Sequence, residues 1–393
     1  MKSGWIEKPL GEACDVLDRL RKPITKRDRV AGPYPYYGAT GVLDHVAGYL
    51  FDEPLVLVGE DGAKWEAGED SAFAIDGKTW VNNHAHVIRP NRDIIIDDWL
   101  IYYLNCADLM PYISGMTVPK LNQGRLVEIP IPLPPLEEQQ RIVAILDEAF
   151  EGLARARANA EANLRDAREL FENWSASVFE MVSHNATVNT AQVSQVALPE
   201  RGSIRTGPFG SQLLHSEFVE EGVAVLGIDN AVANKFRWGK RRFITEEKYE
   251  QLRRYTVRPG DVIVTIMGTC GRCAVIPDEI PIAINTKHLC CISLDLEKCL
   301  PEYLYRYFLF SPRARCYLAS RTLGSIMSGL NMGIIREMPI EYPSIKDQRK
   351  IVDLIGAAEN QTQELVVRYE TDARDIANLR QSLLRKAFAG ELT

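Results

Sequence analysis

The chain has 393 residues, 46% of them hydrophobic and 25% charged, and a formal net charge of −7. That composition excludes a disordered chain, a collagen-like fibre and a uniformly basic nucleic-acid coat, and the length allows two or three domains. Eight irregularly spaced cysteines are too few for a disulfide scaffold, no run reaches ~18 apolar residues, and no apolar leader opens the chain, so a reduced cytoplasmic protein without membrane contact is expected.

In chain order, residues 1–133 are predicted to form a mainly β, α+β domain. Short apolar runs such as Leu55-Val56-Leu57-Val58 lie between Gly, Pro, Asn and Asp, and a short helix is expected over Trp99–Cys106. Residues 134–185 are predicted to carry one long helix, because apolar or small residues recur in three- and four-residue steps at Ile142, Leu146, Ala149, Leu153, Ala156, Ala160, Leu164, Ala167, Phe171, Trp174 and Val178. Pro132, Pro134 and Pro135 fix its start. Residues 186–343 form a second mainly β domain, with strands at Asp261–Thr265 and Ala283–Asn285 and short helices at Glu246–Arg254 and Glu302–Leu309. Residues 344–393 repeat the helical seam at Ile351, Ile355, Ala358, Leu365, Tyr369, Ile376, Leu383 and Ala387, and Gly390 stands where a C-cap would. A helix of ~45 residues is a rod of roughly 68 Å, and neither helix can bury its seam alone, so the two are expected to pair antiparallel as a coiled coil.

An internal repeat organises these elements. Leu121–Pro132 (LNQGRLVEIPIP) matches Leu330–Glu341 (LNMGIIREMPIE) at an offset of 209, and Leu133–Leu146 lies over Tyr342–Ile355 in the same register. The register runs ungapped from Gly115/Gly324 to Phe179/Phe388, with weaker likenesses upstream: Val56–Val58 to Val262–Val264, and Asn83 and His86 to Asn285 and His288. Two copies of a unit of about 200 residues imply a pseudo-two-fold arrangement of two similar sites.

Catalytic signatures are missing. Gly77-Lys78-Thr79 lacks the earlier glycine of a phosphate loop, because position 72 is Ala72. Cys270 and Cys273 have no second pair at zinc spacing, and His84 and His86, alternating on one strand, have no third ligand. No Gly-x-Ser-x-Gly, His-Glu-x-x-His, Gly-x-Gly-x-x-Gly, Asn-Pro-Pro-aromatic or convincing nuclease pattern occurs. The chain reads as a binder, with no catalytic residue, metal or cofactor expected on it. Two basic stretches stand out against the acidic total: Arg19–Arg29 holds six cations against Asp28, and Lys235–Arg258 holds nine against Glu246, Glu247 and Glu250, with aromatic residues interleaved. Such stretches attract phosphates, and Asn, Gln and Arg among them can read base edges. Solvated surface charge, an enzyme with an unrecognised site, and a coiled-coil adaptor binding protein remain open on the residues alone.

Ile131-Pro-Leu-Pro-Pro-Leu-Glu-Glu-Gln139 followed by Arg141-Ile142 resembles the junction of a target recognition domain with a coiled coil in the specificity subunits of type I restriction–modification systems. Leu379–Leu392 is similar to that family's closing segment. Pro35–Gly41, Gly207–Leu213 and Tyr255–Ile263 resemble segments of its recognition domains. The likeness spans the chain, and Pro343-Ser-Ile-Lys-Asp-Gln348 is a degraded second junction, expected to be looser. It implies two target recognition domains that each read half of a bipartite, asymmetric double-stranded DNA target. Paired helices would set the spacer and dock two methyltransferase subunits carrying S-adenosylmethionine, and motor-nuclease subunits could join. The candidate DNA contacts are Lys22, Lys26, Arg27, Tyr36, Tyr37, Thr40, Lys64, Asn82, His84, Lys120 and Asn122 in the first domain. In the second they are Arg205, Ser211, Gln212, Asn230, Lys235, Arg237, Lys240, Arg241, Arg242, Lys287 and Asn331. Asn122 and Asn331 are repeat-equivalent, as DNA contacts or as turns.

Overall fold

The computed structural model describes residues 4–115, 117–184, 187–322 and 329–392. The boundary expected at 185–186 and repeat position Gly324 lie outside them. Contacts divide the chain into two units, Met1–Ala162 with Tyr369–Thr393, and Asn163–Arg368.

In the first unit the Leu55–Gly59 run is buried at every position, as a strand covered on both faces must be. It sits inside an antiparallel sheet ordered Cys14–Val16, Ala85–Pro90, Leu55–Gly59, Ala72–Ile75. A second sheet is ordered Gly41–Val46, Ala31–Gly38, Lys78–Val81, Phe51–Asp52, and its Ala31–Gly38 and Lys78–Val81 strands run parallel. The second unit repeats this plan. Ile204–Thr206, Leu289–Ile292, Val262–Thr265 and Cys273–Val275 take the same order, and Val223–Leu226 runs parallel to Ala283–Asn285. Each domain is closed by an antiparallel pair: Ile6–Pro9 with Pro130–Leu133, and Asn189–Gln192 with Pro339–Tyr342.

The ladders correct two sequence equivalences. The Glu60 amide donates to the His84 carbonyl at 2.8 Å, and Ile266 to that of His288 at 2.9 Å. His84, not His86, therefore matches His288, His86 falls on Cys290, and Asn83 falls on Lys287 and not on Asn285. The same ladders place Leu17 and Leu55 of the first domain opposite Arg205 and Asp261 of the second. Leu17 and Leu55 share one apolar cluster. Arg205 and Asp261 form a buried ion pair at 2.7 Å, with Asp261 also accepting from the Ser293 hydroxyl and the Arg258 amide.

The long helices run Leu136–Ser183 and Ile345–Ala389. In the first unit Ile142, Val143 and Leu146 pack with Leu384 and Ala387, near the far end of the other helix. In the second, Val178 and Phe179 pack with Ile355. Start meets end in both cases, which makes the pairing antiparallel. The expected seam fails in mid-helix: Ala156 is exposed and Leu365 is 41% exposed, while Val366 beside it is buried. Successive residues turn by ~100°, and a 3.6-residue helix drifts against a 3.5-residue seam, so the buried face changes residue.

Two buried glutamines anchor the helix starts. Gln139 accepts from the Ile96 amide at 3.1 Å and donates to the Ile94 and Pro134 carbonyls at 2.8 and 2.9 Å. Gln348 accepts from Leu300 at 2.9 Å and donates to Lys298 and Pro343 at 2.8 and 2.9 Å. The degraded junction was expected to be looser, yet it keeps every bond, because the glutamine and the backbone carry them. At the other end Gly390 has φ +77, and the Glu391 amide bonds the Lys386 carbonyl, closing the helix with a glycine cap.

Candidate nucleic-acid interface

In the second domain one end of the four-stranded sheet gathers four loops, near residues 207–212, 227–242, 266–272 and 286–288. The approach is close: a Cβ on Gly207 would lie 2.0 Å from the Asn285 carbonyl oxygen, so only glycine fits there. Asn230 is 3% exposed. Its side chain accepts from the Gly227 amide at 2.8 Å and donates to the Arg237 carbonyl at 2.9 Å, folding the 227–237 segment back on itself. Asp229 accepts from the Lys240 amide at 2.8 Å and from Arg242 at 2.9 Å. On this frame Lys235, Arg237, Lys240 and Arg241 are exposed. Trp238, 42% exposed, packs edge-on against Phe236, with the Arg241 guanidinium 6.0 Å from its ring. Trp238, Lys240 and Arg241 edge a pocket of about 260 Å³ together with Asn230 and Arg242. Lys287 is half-buried beside His288, whose imidazole is pulled below its ordinary range by burial and by the charges of Lys287 and Arg242. Burial is the larger cause, and the two neighbouring cations add to it.

Several expected contacts of this domain are internal instead. Arg205 is held by Asp261, the Thr256 carbonyl and the Ser293 hydroxyl, since an arginine inside a sheet needs every donor met. Arg242 is bound to Asp229, and Asn230 is the turn clamp just described. Asn331 caps the helix Met332–Glu337, accepting from the Ile334 amide at 3.0 Å. Ser211 and Gln212 are exposed, with Gln212 accepting from Tyr255 at 2.9 Å.

The first domain builds the corresponding end differently. Arg19–Arg29 folds over strand Lys78–Val81: the Lys22 amide donates to Val81, and Trp80 donates to the Lys22 carbonyl at 2.6 Å. Tyr36 is 1% exposed. Its hydroxyl accepts from the Ile24 amide at 2.9 Å, and Arg29 stacks on its ring at 4.4 Å, so it anchors the loop from inside. Lys22, Lys26, Arg27 and Thr40 are exposed, and Tyr37 is half-buried against Phe73. Asn82 is buried and holds the turn by accepting from the His84 amide. His84 lies in that turn and not on the strand face with His86; its ring meets Asp61. Lys64 pairs with Glu69 at 3.4 Å and Lys120 with Glu60 at 2.7 Å. Asn122 is exposed and donates to Ser114, and it precedes the turn Gln123–Leu126 as Asn331 precedes its own. The equivalence of the two asparagines is thus first one of turns.

Sequence reasoning missed a buried hub here. His86 is fully buried, with Nδ1 2.6 Å from an Asp18 carboxylate oxygen and Nε2 2.6 Å from the Leu121 carbonyl. The Leu121 carbonyl can only accept, so Nε2 carries a proton, and Nδ1 faces the Asp18 carboxyl group. Burial raises the Asp18 carboxyl, but the bond and charge of His86, the Val87 amide and Arg21 outweigh it, and Asp18 titrates below its usual range. Glu60, 6% exposed, pairs with Arg21 and Lys120. Asp18, Glu60 and His86 are the one trio of acid and imidazole groups among the described residues close enough to share a cation. Arg21 and Lys120 already supply the counter-charge. Their spread over 18, 60, 86 and 120 left no local motif to read.

The buried cysteines are inert. Burial pushes the thiols of Cys14, Cys290 and Cys299 up to about 12, and that of Cys273 also rises.

The sequence profile of the type I restriction modification DNA specificity domain matches residues 2–162 and 220–366, one stretch in each half of the repeat. A Haemophilus influenzae protein named as a type I restriction enzyme specificity subunit is 26% identical over 91% of this chain and 88% of its own length. The MjaVIII specificity subunit of Methanocaldococcus jannaschii is 21% identical over 91% and 86%. Among solved structures, one described as the basis of assembly and conformational transition of the type I R-M system superposes with a TM-score of 0.76 at 18% identity, covering 100% of this chain and 99% of that one. The HsdS subunit from Thermoanaerobacter tengcongensis gives 0.57 at 18% identity, covering 100% and 98%. Domain matches in both halves, the repeated sheets and the paired helices agree: the chain belongs to the type I restriction modification DNA specificity family.

Proposed function

We propose that this chain is the DNA-recognition subunit of a type I restriction–modification complex and performs no catalysis itself. Each domain reads one half of a bipartite, asymmetric double-stranded target with its loop-bearing sheet end. The observation that carries this reading is a repeated scaffold bearing unlike loops: the second domain presents Lys235, Arg237, Lys240, Arg241 and Trp238, the first Lys22, Lys26, Arg27 and Thr40. Equal scaffolds with unequal reading residues suit an asymmetric target. Lys and Arg take phosphates, and Ser211, Gln212, Lys287, Tyr37 and Asn122 stand among them to meet base edges. The antiparallel helices set the spacing of the half-sites and dock two methyltransferase subunits. These bring S-adenosylmethionine and methylate adenine, and motor-nuclease subunits join them for cleavage. The complex works in the cytoplasm; no helix among the described residues is long and apolar enough to cross a membrane.

The test is loop replacement. Lys235→Ala with Arg237→Ala and Arg241→Ala should weaken reading of the second half-site and leave the preference at the first unchanged, as scored by methylation of duplexes randomised in one half at a time. Equal loss of preference at both halves would refute the division of labour.

A further inference from the structure

The end of the second domain's sheet opposite the reading loops is also strongly charged. Strands 204–206 and 262–265 begin there, strand 289–292 ends there, and five arginines line a pocket of about 580 Å³. One of them, Arg205, is neutralised by Asp261. Arg253 and Arg258 have only distant, exposed partners, Glu250 at 3.7 Å and Glu200 at 3.8 Å. Arg201 and Arg254 pair with no carboxylate among the described residues, and Arg254 is oriented by the Tyr255 hydroxyl at 2.8 Å. The Ser203 hydroxyl adds a donor to the lining, while the Thr256 and Ser293 hydroxyls there donate to the Arg253 carbonyl and to Asp261. In the first domain the ladder positions of Ser203 and Ser293 hold Asp15 and Arg89, and Arg89 is bound two-pronged by Glu53 at 2.9 and 2.6 Å. There the place is filled by an internal pair; in the second domain it is an open cup of guanidinium groups.

We propose that this cup is a phosphate-binding site. Guanidinium forks converging on a concavity with a hydroxyl donor and too few acids match a tetrahedral oxyanion. The phosphate is either a backbone group of the duplex outside the second half-site or a free phosphate compound; the first source rests on the DNA reading above. Strand 262–265 is ~10 Å long, so a bound duplex would need to curve back along the domain to reach the cup.

The experiment uses the full chain with its methyltransferase partners. Inorganic pyrophosphate is titrated calorimetrically into the wild type and into Arg253→Gln/Arg258→Gln. Affinities for duplexes ending at the second half-site or running ten base pairs past it are measured against salt. The double variant should weaken pyrophosphate binding about tenfold. If the source is the duplex, the salt slope for the long duplex falls by about 1–2, the short duplex is unaffected and half-site preference is kept. Loss of pyrophosphate binding with unchanged slopes supports a free phosphate. Arg201→Gln, on an exposed loop, repeats the test without threat to folding. No pyrophosphate binding by the wild type together with unchanged slopes in both variants overturns the site. Absence of half-site preference in the wild type would instead sink the DNA reading.

Discussion

His86→Ala tests the first domain's hub. The ring is fully buried between Asp18 and the Leu121 carbonyl. Its removal leaves the carbonyl without that donor, at about 1–3 kcal/mol. It also takes one partner from the buried Asp18, which keeps the Val87 amide at 3.0 Å and Arg21 at 3.2 Å. Breaking a buried charge pair costs about 3–5 kcal/mol, and the surviving partners place this one near the lower end, so the total should be roughly 4 kcal/mol. Urea unfolding of the full chain, followed by tryptophan emission, should show an early transition displaced by that amount and a later one unmoved. The pH dependence has a definite sign. Asp18 is depressed in the folded state, so its contribution is present above the unfolded value of 3.8 and is lost as pH falls through the lower folded value. Without His86 the depression shrinks, and the Asp18 contribution to acid loss should shrink with it. Leu121 leads into Asn122, so reading of the first half-site should suffer while the second is kept. A loss below about 1 kcal/mol would refute the claim that the ring bridges two buried acceptors.

Three further outcomes are expected. Gln348→Ala and Gln139→Ala each delete three bonds at equivalent junctions and should cost similar amounts, about 2–4 kcal/mol, in urea unfolding; a much cheaper Gln348→Ala would show the second junction to be loose after all. Asp261→Ala should cost about 3–5 kcal/mol by stranding Arg205, whereas Arg205→Leu with Asp261→Leu should be near neutral, since the first domain holds leucines at those positions; thermal melts of both decide it. His288 is depressed when folded, so the free protein loses stability as pH falls below the ordinary value of 6.5. A bound polyanion opposes the Lys287 and Arg242 charges, so DNA affinity should rise over that fall, and His288→Gln should flatten the rise.

The scaffold was legible in the sequence because it rests on periodicity and on a repeat in fixed register. The Leu55–Val58 run, the helical steps and the Leu121/Leu330 offset all survive in the fold. The equivalence of His86 with His288 failed because gaps between strands hide the ladder register, which only hydrogen bonds fix. The reading residues were legible as charge and not as geometry. Exposed Lys26, Arg27, Lys240 and Arg241 look in sequence like Arg205, which a single acid 56 residues away turns inward. Tyr36, Asn82 and Asn230 are polar types that serve equally as contacts or as internal clamps, and burial alone separates the two. The arginine cup was half visible, since Arg253, Arg254 and Arg258 stand in the basic stretch, but Arg201 joins them only through the sheet.

The central claim is that two unlike domains direct methylation to one split target. Mapping adenine methylation across the genome of the source cells, with the gene present and deleted, tests it most directly. One bipartite motif should lose methylation on deletion and regain it on complementation, and second-domain loop variants should alter only one half of the motif. An unchanged methylation map, with the methyltransferase partner expressed and no second specificity gene present, would contradict it.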